Sequence, residues 1–153
     1  MDNKIKAEEL IKRYNAGEHV ENGLFIECHY AAEGDKRPAS GSIYYYVKPG
    51  ERTQFHKIDC DEYWSYNAGG TLELWVVGLD GKLRIKRCGI TEGAEPTVRF
   101  AAGEIFASRL DTNAPDGTFV TCITVPRFSY DGFQLLEKEE ITSLYPDTAK
   151  FWE

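Results

Sequence analysis

The stretch Gly50-Glu-Arg-Thr-Gln-Phe-His56-Lys-Ile58-Asp-Cys60-Asp-Glu62-Tyr-Trp64-Ser-Tyr66-Asn-Ala-Gly69-Gly70 decides the fold of this chain. Its two runs, 52–58 and 62–67, are rich in aromatic and β-branched residues and lie between a Lys48-Pro-Gly50 turn and an Ala68-Gly-Gly70 turn, which predicts two strands. Side chains alternate along a strand, so His56 and Ile58 share a face. The short segment 59–61 reverses the chain, and Glu62 opens the returning strand of a predicted hairpin, opposite them.

Outward from this pair the same pattern repeats at 23–30, 41–47, 71–77, 83–88, 96–100, 104–110 and 118–125. Turn chemistry at Asp80-Gly81, Glu92-Gly93, Ala102-Gly103 and Asp116-Gly117 separates these runs at the rhythm of a sandwich or barrel. Helical spacing appears only at the ends, over about 3–16, where Ile5, Leu10, Ile11 and Tyr14 sit among charges before Asn15-Ala-Gly17, and over about 137–145. No linker or repeat interrupts the chain, which reads as one domain, 1–153, with its barrel over about 19–135. Within 71–77, Leu72, Leu74 and Val76 oppose Glu73 and Trp75, so one face looks into a core. Ile43-Tyr44-Tyr45-Tyr46-Val47 has no polar face; it is either a strand covered on both sides or the wall of a ligand cavity.

With 153 residues, 25 acidic against 18 basic and a net charge of −7, the chain is a poor partner for nucleic acid. An aromatic share of 13% excludes a disordered chain. The start, MDNKIKAEEL, lacks the apolar core of a signal peptide and no run is long enough to span a membrane, so a cytoplasmic protein without a membrane partner is expected. Cys28, Cys60, Cys88 and Cys122 form no CxxC pair and read as reduced thiols in or near the core. His19 reads as a surface or locally hydrogen-bonded residue, and His29 as one that a strand turns inward.

The spacing Gly50-x5-His56-x-Ile58-x3-Glu62-x6-Gly69 resembles the first motif of the cupin superfamily, G-x5-H-x-H-x3or4-E-x6-G, with one ligand position changed. The second motif, G-x5-P-x-G-x2-H-x3-N, is matched only in part: Gly103 is kept, but Ala101, Phe106 and Leu110 stand at the Pro, His and Asn positions. Further stretches resemble a subfamily of small bacterial and fungal cupins. They are Asn22-Gly23-Leu-Phe25-Ile-Glu27, Ser42-Ile43-Tyr44-Tyr45, Phe106-Ala-Ser-Arg109-Leu110, Phe128-Ser-Tyr-Asp131-Gly-Phe133 and Leu144-Tyr145-Pro146. The resemblance covers about 19–146. Ser65 departs from it, standing where such relatives read E-x-W-H.

The resemblance implies an all-β double-stranded β-helix jelly-roll barrel with a short helix at each end, and a homodimer. It implies that a metal-holding relative uses three His and one Glu. Ile58 and Phe106 occupy two of the His positions, so His56 and Glu62 alone hold a divalent metal weakly, and no cofactor is expected. Cys60 sits at the predicted hairpin tip and points away. The metal-free branch of the superfamily includes epimerases of nucleotide-linked keto-sugars, in which a barrel His takes a proton α to a carbonyl. On that pattern His56 is the candidate base, Glu62 or Glu27 the carboxylate that orients it, and Tyr44 or Tyr46 the acid. Trp64 and Tyr66 suit stacking against a carbohydrate-like ligand or ordinary core packing, and Arg109 suits an anionic group on that ligand or a structural ion pair. The epimerases' own R-G-x-H-x-Q signature is absent, since the corresponding stretch here is Thr53-Gln-Phe-His56-Lys-Ile58. Set against an isomerase or epimerase are a non-catalytic small-molecule binding protein, in which His56 and Glu62 are a satisfied polar pair at a barrel mouth, and a metal-dependent oxidoreductase.

Overall fold

The computed structural model describes residues 6–33 and 36–153. Among these residues eleven strands run in chain order: β1 (Gly17–Glu18), β2 (Leu24–Glu33), β3 (Lys36–Val47), β4 (His56–Lys57), β5 (Asp61–Gly69), β6 (Leu72–Val77), β7 (Leu83–Cys88), β8 (Thr97–Phe100), β9 (Ile105–Arg109), β10 (Thr118–Val125) and β11 (Gln134–Leu135). They form two antiparallel sheets, one in the order β1-β2-β3-β10-β5-β8 and the other in the order β11-β4-β9-β6-β7. The expected barrel is therefore a jelly roll of two facing sheets whose ladders do not close on each other.

The predicted hairpin is corrected in the same way. Strand β4 pairs with β9 and β11, whereas β5 pairs with β10 and β8, so residues 58–60 are a corner that carries the chain from one sheet to the other. Gly50 and Gly69 sit at φ +77° and +97°, which a side chain rarely tolerates, and mark the turns expected at both ends of the stretch. His56 and Glu62 thus reach the interior from opposite walls. Cys60, expected to point away, is buried beneath the corner, and burial pushes its thiol up to about 11. All four cysteines are free, with Cys28 half-buried and the others buried.

Periodicity decides which residues fill the space between the sheets. Leu72, Leu74 and Val76 of β6, with Phe106 of β9, pack against Tyr45 of β3, Trp64 of β5, Phe100 of β8 and Val120 of β10. Fully burying each large apolar side chain contributes about 1.5–3 kcal/mol. The opposite face of β6 is covered too. Trp75 and Val77 pack with Ile105 and Ala107 under Ile141 of helix α2 (Lys138–Leu144) and Phe151 of a 3-10 helix (Pro146–Trp152). On the other side of the molecule, helix α1 (Ala7–Lys12) lays Ala7 and Ile11 on Tyr46 and Phe119. The remainder of the expected first helix breaks at Asn15, at φ +51°, while residues 3–5 lie outside the described residues. Among the described residues no helix is long and apolar enough to cross a membrane.

Candidate active site

A cavity of about 580 Å³ opens between the sheets at the end where β4 and β5 begin. Its inner wall carries His19, Glu21, Tyr45, His56, Glu62 and Trp64, and its mouth carries Glu27, Arg127, Phe128, Tyr130, Asp131 and Phe133.

His56 is buried, with its ring 4.3 Å from that of Phe106, its partner across the β4–β9 ladder. Its Nδ1 lies 2.8 Å from Glu21 Oε2 and 2.9 Å from the carbonyl of Gln54. Both are acceptors, so Nδ1 carries the proton that faces them, and Nε2 is left to address the cavity. Burial works against charge on both members of the pair, but attraction and the hydrogen bond between them outweigh it: Glu21 is held below the usual carboxylate range and His56 above the usual imidazole range. The expected orienting carboxylates were Glu62 or Glu27; the structure gives that place to Glu21.

Glu21 comes from the β1–β2 connection, where Asn22 and Gly23 take left-handed φ of +82° and +84°. The loop is fastened to the wall at several points. The Tyr45 hydroxyl donates to Asn22 O at 2.5 Å, Gln54 N–H donates to Glu21 O at 2.9 Å and Asn22 Nδ2 donates to Arg52 O at 2.9 Å. His19, read as a surface or locally hydrogen-bonded residue, makes that local bond and also lines the cavity. Its Nδ1 accepts from Glu21 N–H at 3.2 Å, and burial lowers its pKa, which favours the neutral ring.

Glu62, on the opposite wall, is 8% exposed. Its Oε1 accepts from Trp64 Nε1–H at 2.9 Å, and Oε2 has no hydrogen-bond partner among the described residues. Burial, and to a smaller extent the charge of Glu21, push its pKa up to about 7 although His56 pulls it down. The pair, set out above as a satisfied polar pair at a barrel mouth, is two largely buried groups, each held by the protein at one polar atom and open to the cavity at the other.

The other expected site residues divide cleanly. Trp64 and Glu27 line the cavity, Glu27 at the mouth in a two-point pair with Arg127, whose Nη2 and Nε lie 2.5 and 3.1 Å from its oxygens. Tyr44 and Tyr46 do not line it: they lie on the outer face of β3 beneath α1, and the cavity-facing tyrosine is Tyr45. The parity was available, because Ile43, Tyr45 and Val47 make the more apolar face of the run. Tyr66 donates to Gly69 O at 2.7 Å, outside the cavity lining. Of the two readings of Arg109, ligand-anion clamp and structural ion pair, the structure shows the second, on the outer face of its sheet. There it donates to Glu73 Oε1 at 2.7 Å and to Phe151 O at 2.9 Å, and stacks over Trp75 at 4.8 Å. His29 is exposed and not turned inward.

The profile of the Cupin superfamily (DUF985) matches residues 8–136. The chain belongs to the cupin superfamily. Among solved structures, this cupin is similar to a protein from Shewanella oneidensis at 28% identity, over 95% of this chain and 94% of that one, with a TM-score of 0.86. A hypothetical protein from Leishmania major is similar at 27% identity over 94% of each chain, with a TM-score of 0.85. The oxalate decarboxylase of Bacillus subtilis shares the fold at 17% identity, over 87% of this cupin and 35% of that chain, with a TM-score of 0.62. No curated protein matches the chain.

The metal pattern of three His and one Glu that the resemblance brings does not fit the residues present. Ile58 and Phe106 carry no donor atoms, and the Phe106 ring is stacked on Phe100 at 3.9 Å. His56 and Glu62 leave two donors where a functional site uses three or four. Among the described residues no group of three or more His, Cys, Asp or Glu is arranged to hold a metal ion.

Proposed function

We propose that this cupin binds a small polar metabolite of carbohydrate-like chemistry and that His56 acts on it as the base of a metal-independent isomerase or epimerase. The fold supports small-molecule binding, and a cavity of about 580 Å³ has the size of a metabolite site. One observation carries the finer reading: a buried imidazole gripped at Nδ1 by a carboxylate, with Nε2 left toward the cavity. In the neutral ring, Nε2 takes the proton α to a ligand carbonyl while the C–H electron pair moves into the enolate, and Glu21 stabilises the imidazolium that forms. For isomerisation the α-hydroxyl proton passes to the enolate oxygen and His56 returns its proton to the neighbouring carbon; for epimerisation water in the cavity protonates the original carbon on the opposite face while His56 gives its proton to solvent. No co-reactant is consumed.

The test is deuterium exchange. Common aldoses, ketoses and their phosphates are incubated with the protein in D₂O, and loss of the α-proton signal is followed by NMR. Exchange is expected with at least one of them, reduced at least ~100-fold by His56→Gln, whose amide still donates to Glu21. Because Glu21 raises the His56 pKa, exchange should rise with pH above the usual imidazole range, and Glu21→Gln should move that rise to lower pH. A ligand that binds with no exchange in either direction makes the protein a non-catalytic binder.

A further inference from the structure

We propose that the cavity is built for a ligand bearing a protonated amine, with Glu62 Oε2 as the seat of the ammonium group. The proposal rests on the cavity being the ligand site and names the class of ligand. Its first support is the pairing of charges. His56 is matched by Glu21 and Arg127 by Glu27, so each cation on the wall already has its carboxylate. Glu62 has none. Its one protein contact is the indole N–H of Trp64 at Oε1, which fixes the carboxylate and leaves Oε2 without a partner among the described residues.

At Oε2 this deep carboxylate meets only the cavity, and it keeps its proton up to about pH 7, so the ligand group that suits it best supplies both a hydrogen bond and a positive charge. A metal is a poor candidate, since Ile58 and Phe106 offer it no further donors. A neutral hydroxyl would satisfy the hydrogen bond but not the charge. An ammonium group satisfies both, and aromatic residues line the same cavity, with Phe128 and Phe133 at its mouth and Tyr45 and Trp64 at its inner wall. Asp131, the other lining carboxylate outside the ion pairs, is exposed at the mouth and gives an incoming cation a favourable field without a desolvated seat.

The test uses three probes that share one ring. D-glucosamine carries an ammonium group, whereas D-glucose and N-acetyl-D-glucosamine do not. Titration calorimetry at pH 7 and low salt should show glucosamine binding at least ~10-fold more tightly than either neutral probe. Glu62→Gln, which keeps an acceptor for Trp64, should reduce that preference to within about twofold, and Glu62→Asp should retain part of it. His56→Gln should keep the preference whether or not it abolishes proton exchange, which separates this proposal from the base assigned to His56. Equal binding of the three probes, no binding of glucosamine, or a preference that survives Glu62→Gln overturns the proposal.

Discussion

Glu62 is held at a cost to the fold, and the cost has a definite dependence on pH. Its pKa is about 7 in the folded protein against 4.5 in the usual carboxylate. Below 4.5 both folded and unfolded chains keep the proton, and the residue is neutral in its effect. From there to about 7 the unfolded chain releases its proton while the folded one retains it, so stability falls as pH rises. Above that range the penalty levels off at about 3 kcal/mol. Glu62→Gln removes the charge and keeps the acceptor for the Trp64 indole, so its stability relative to the parent should grow by up to about 3 kcal/mol between pH 4.5 and 8. Urea unfolding at the two pH values measures this; a difference that does not change with pH would mean that Glu62 is solvated or paired. His56, Glu62 and Trp64 could be found in the sequence because one short stretch holds all three at fixed spacing. Glu21 and His19 could not, because they reach His56 through a loop whose docking depends on Gln54, Arg52 and Tyr45, and no periodicity relates positions so far apart.

Eight of the nine predicted strand runs coincide with a strand over most of their length, since alternation over four or more residues is a strong signal, whereas the run 52–58 shrinks to the two residues of β4 before the corner. The elements that escaped are short or ambiguous: β1 and β11 have two residues each, too few for a period, and Pro146 reads as a stop. In the structure Pro146 begins a new helical segment, a position its fixed φ and missing N–H suit well. That segment explains why β6 has Trp75 on the face opposite its core leucines. Arg109 clamps it, stacked between Trp75 at 4.8 Å and Phe151 at 5.9 Å and donating to the carbonyls of Lys150 and Phe151. Arg109→Ala is expected to destabilise the protein by about 2–3 kcal/mol through lost stacking and hydrogen bonds. Phe151→Ala should cost about 3–5 kcal/mol. Neither should change ligand affinity by more than about twofold, because the segment and the cavity lie on opposite faces of one sheet. Denaturant unfolding paired with ligand titration checks both; a large loss of affinity in a folded Arg109 variant would restore its reading as a ligand clamp.

In the molecule as a whole, the two sheets bring the wall of one and the wall of the other to a single point, and this convergence can be tested by construction. The sequence pattern placed His56, Ile58, Glu62 and Phe106 in one interior through a hairpin; the structure reaches the same convergence through a corner between sheets. Phe106 is the direct cross-strand neighbour of His56, Ile58 lines the same cavity, and Glu62 approaches from the facing sheet. The double change Ile58→His with Phe106→His therefore assembles three imidazoles and one carboxylate. The His56 contribution comes through Nε2, because Glu21 and Gln54 hold Nδ1, and that grip orients the ring as an acceptor hydrogen-bonded to the far nitrogen of a metal-bound His commonly does. Losing the Phe106–Phe100 stack lowers stability, so the comparison is made on protein shown to be folded. Zn²⁺ affinity by titration calorimetry is expected to rise at least ~10-fold over the parent, about 1.4 kcal/mol, with each single change gaining less. Adding Glu62→Gln to the double variant should remove much of the gain if the facing sheet supplies the fourth donor. No gain in the double variant would mean that positions 58 and 106 do not converge on His56, and a gain that Glu62→Gln leaves intact would mean that the two walls do not meet at the metal.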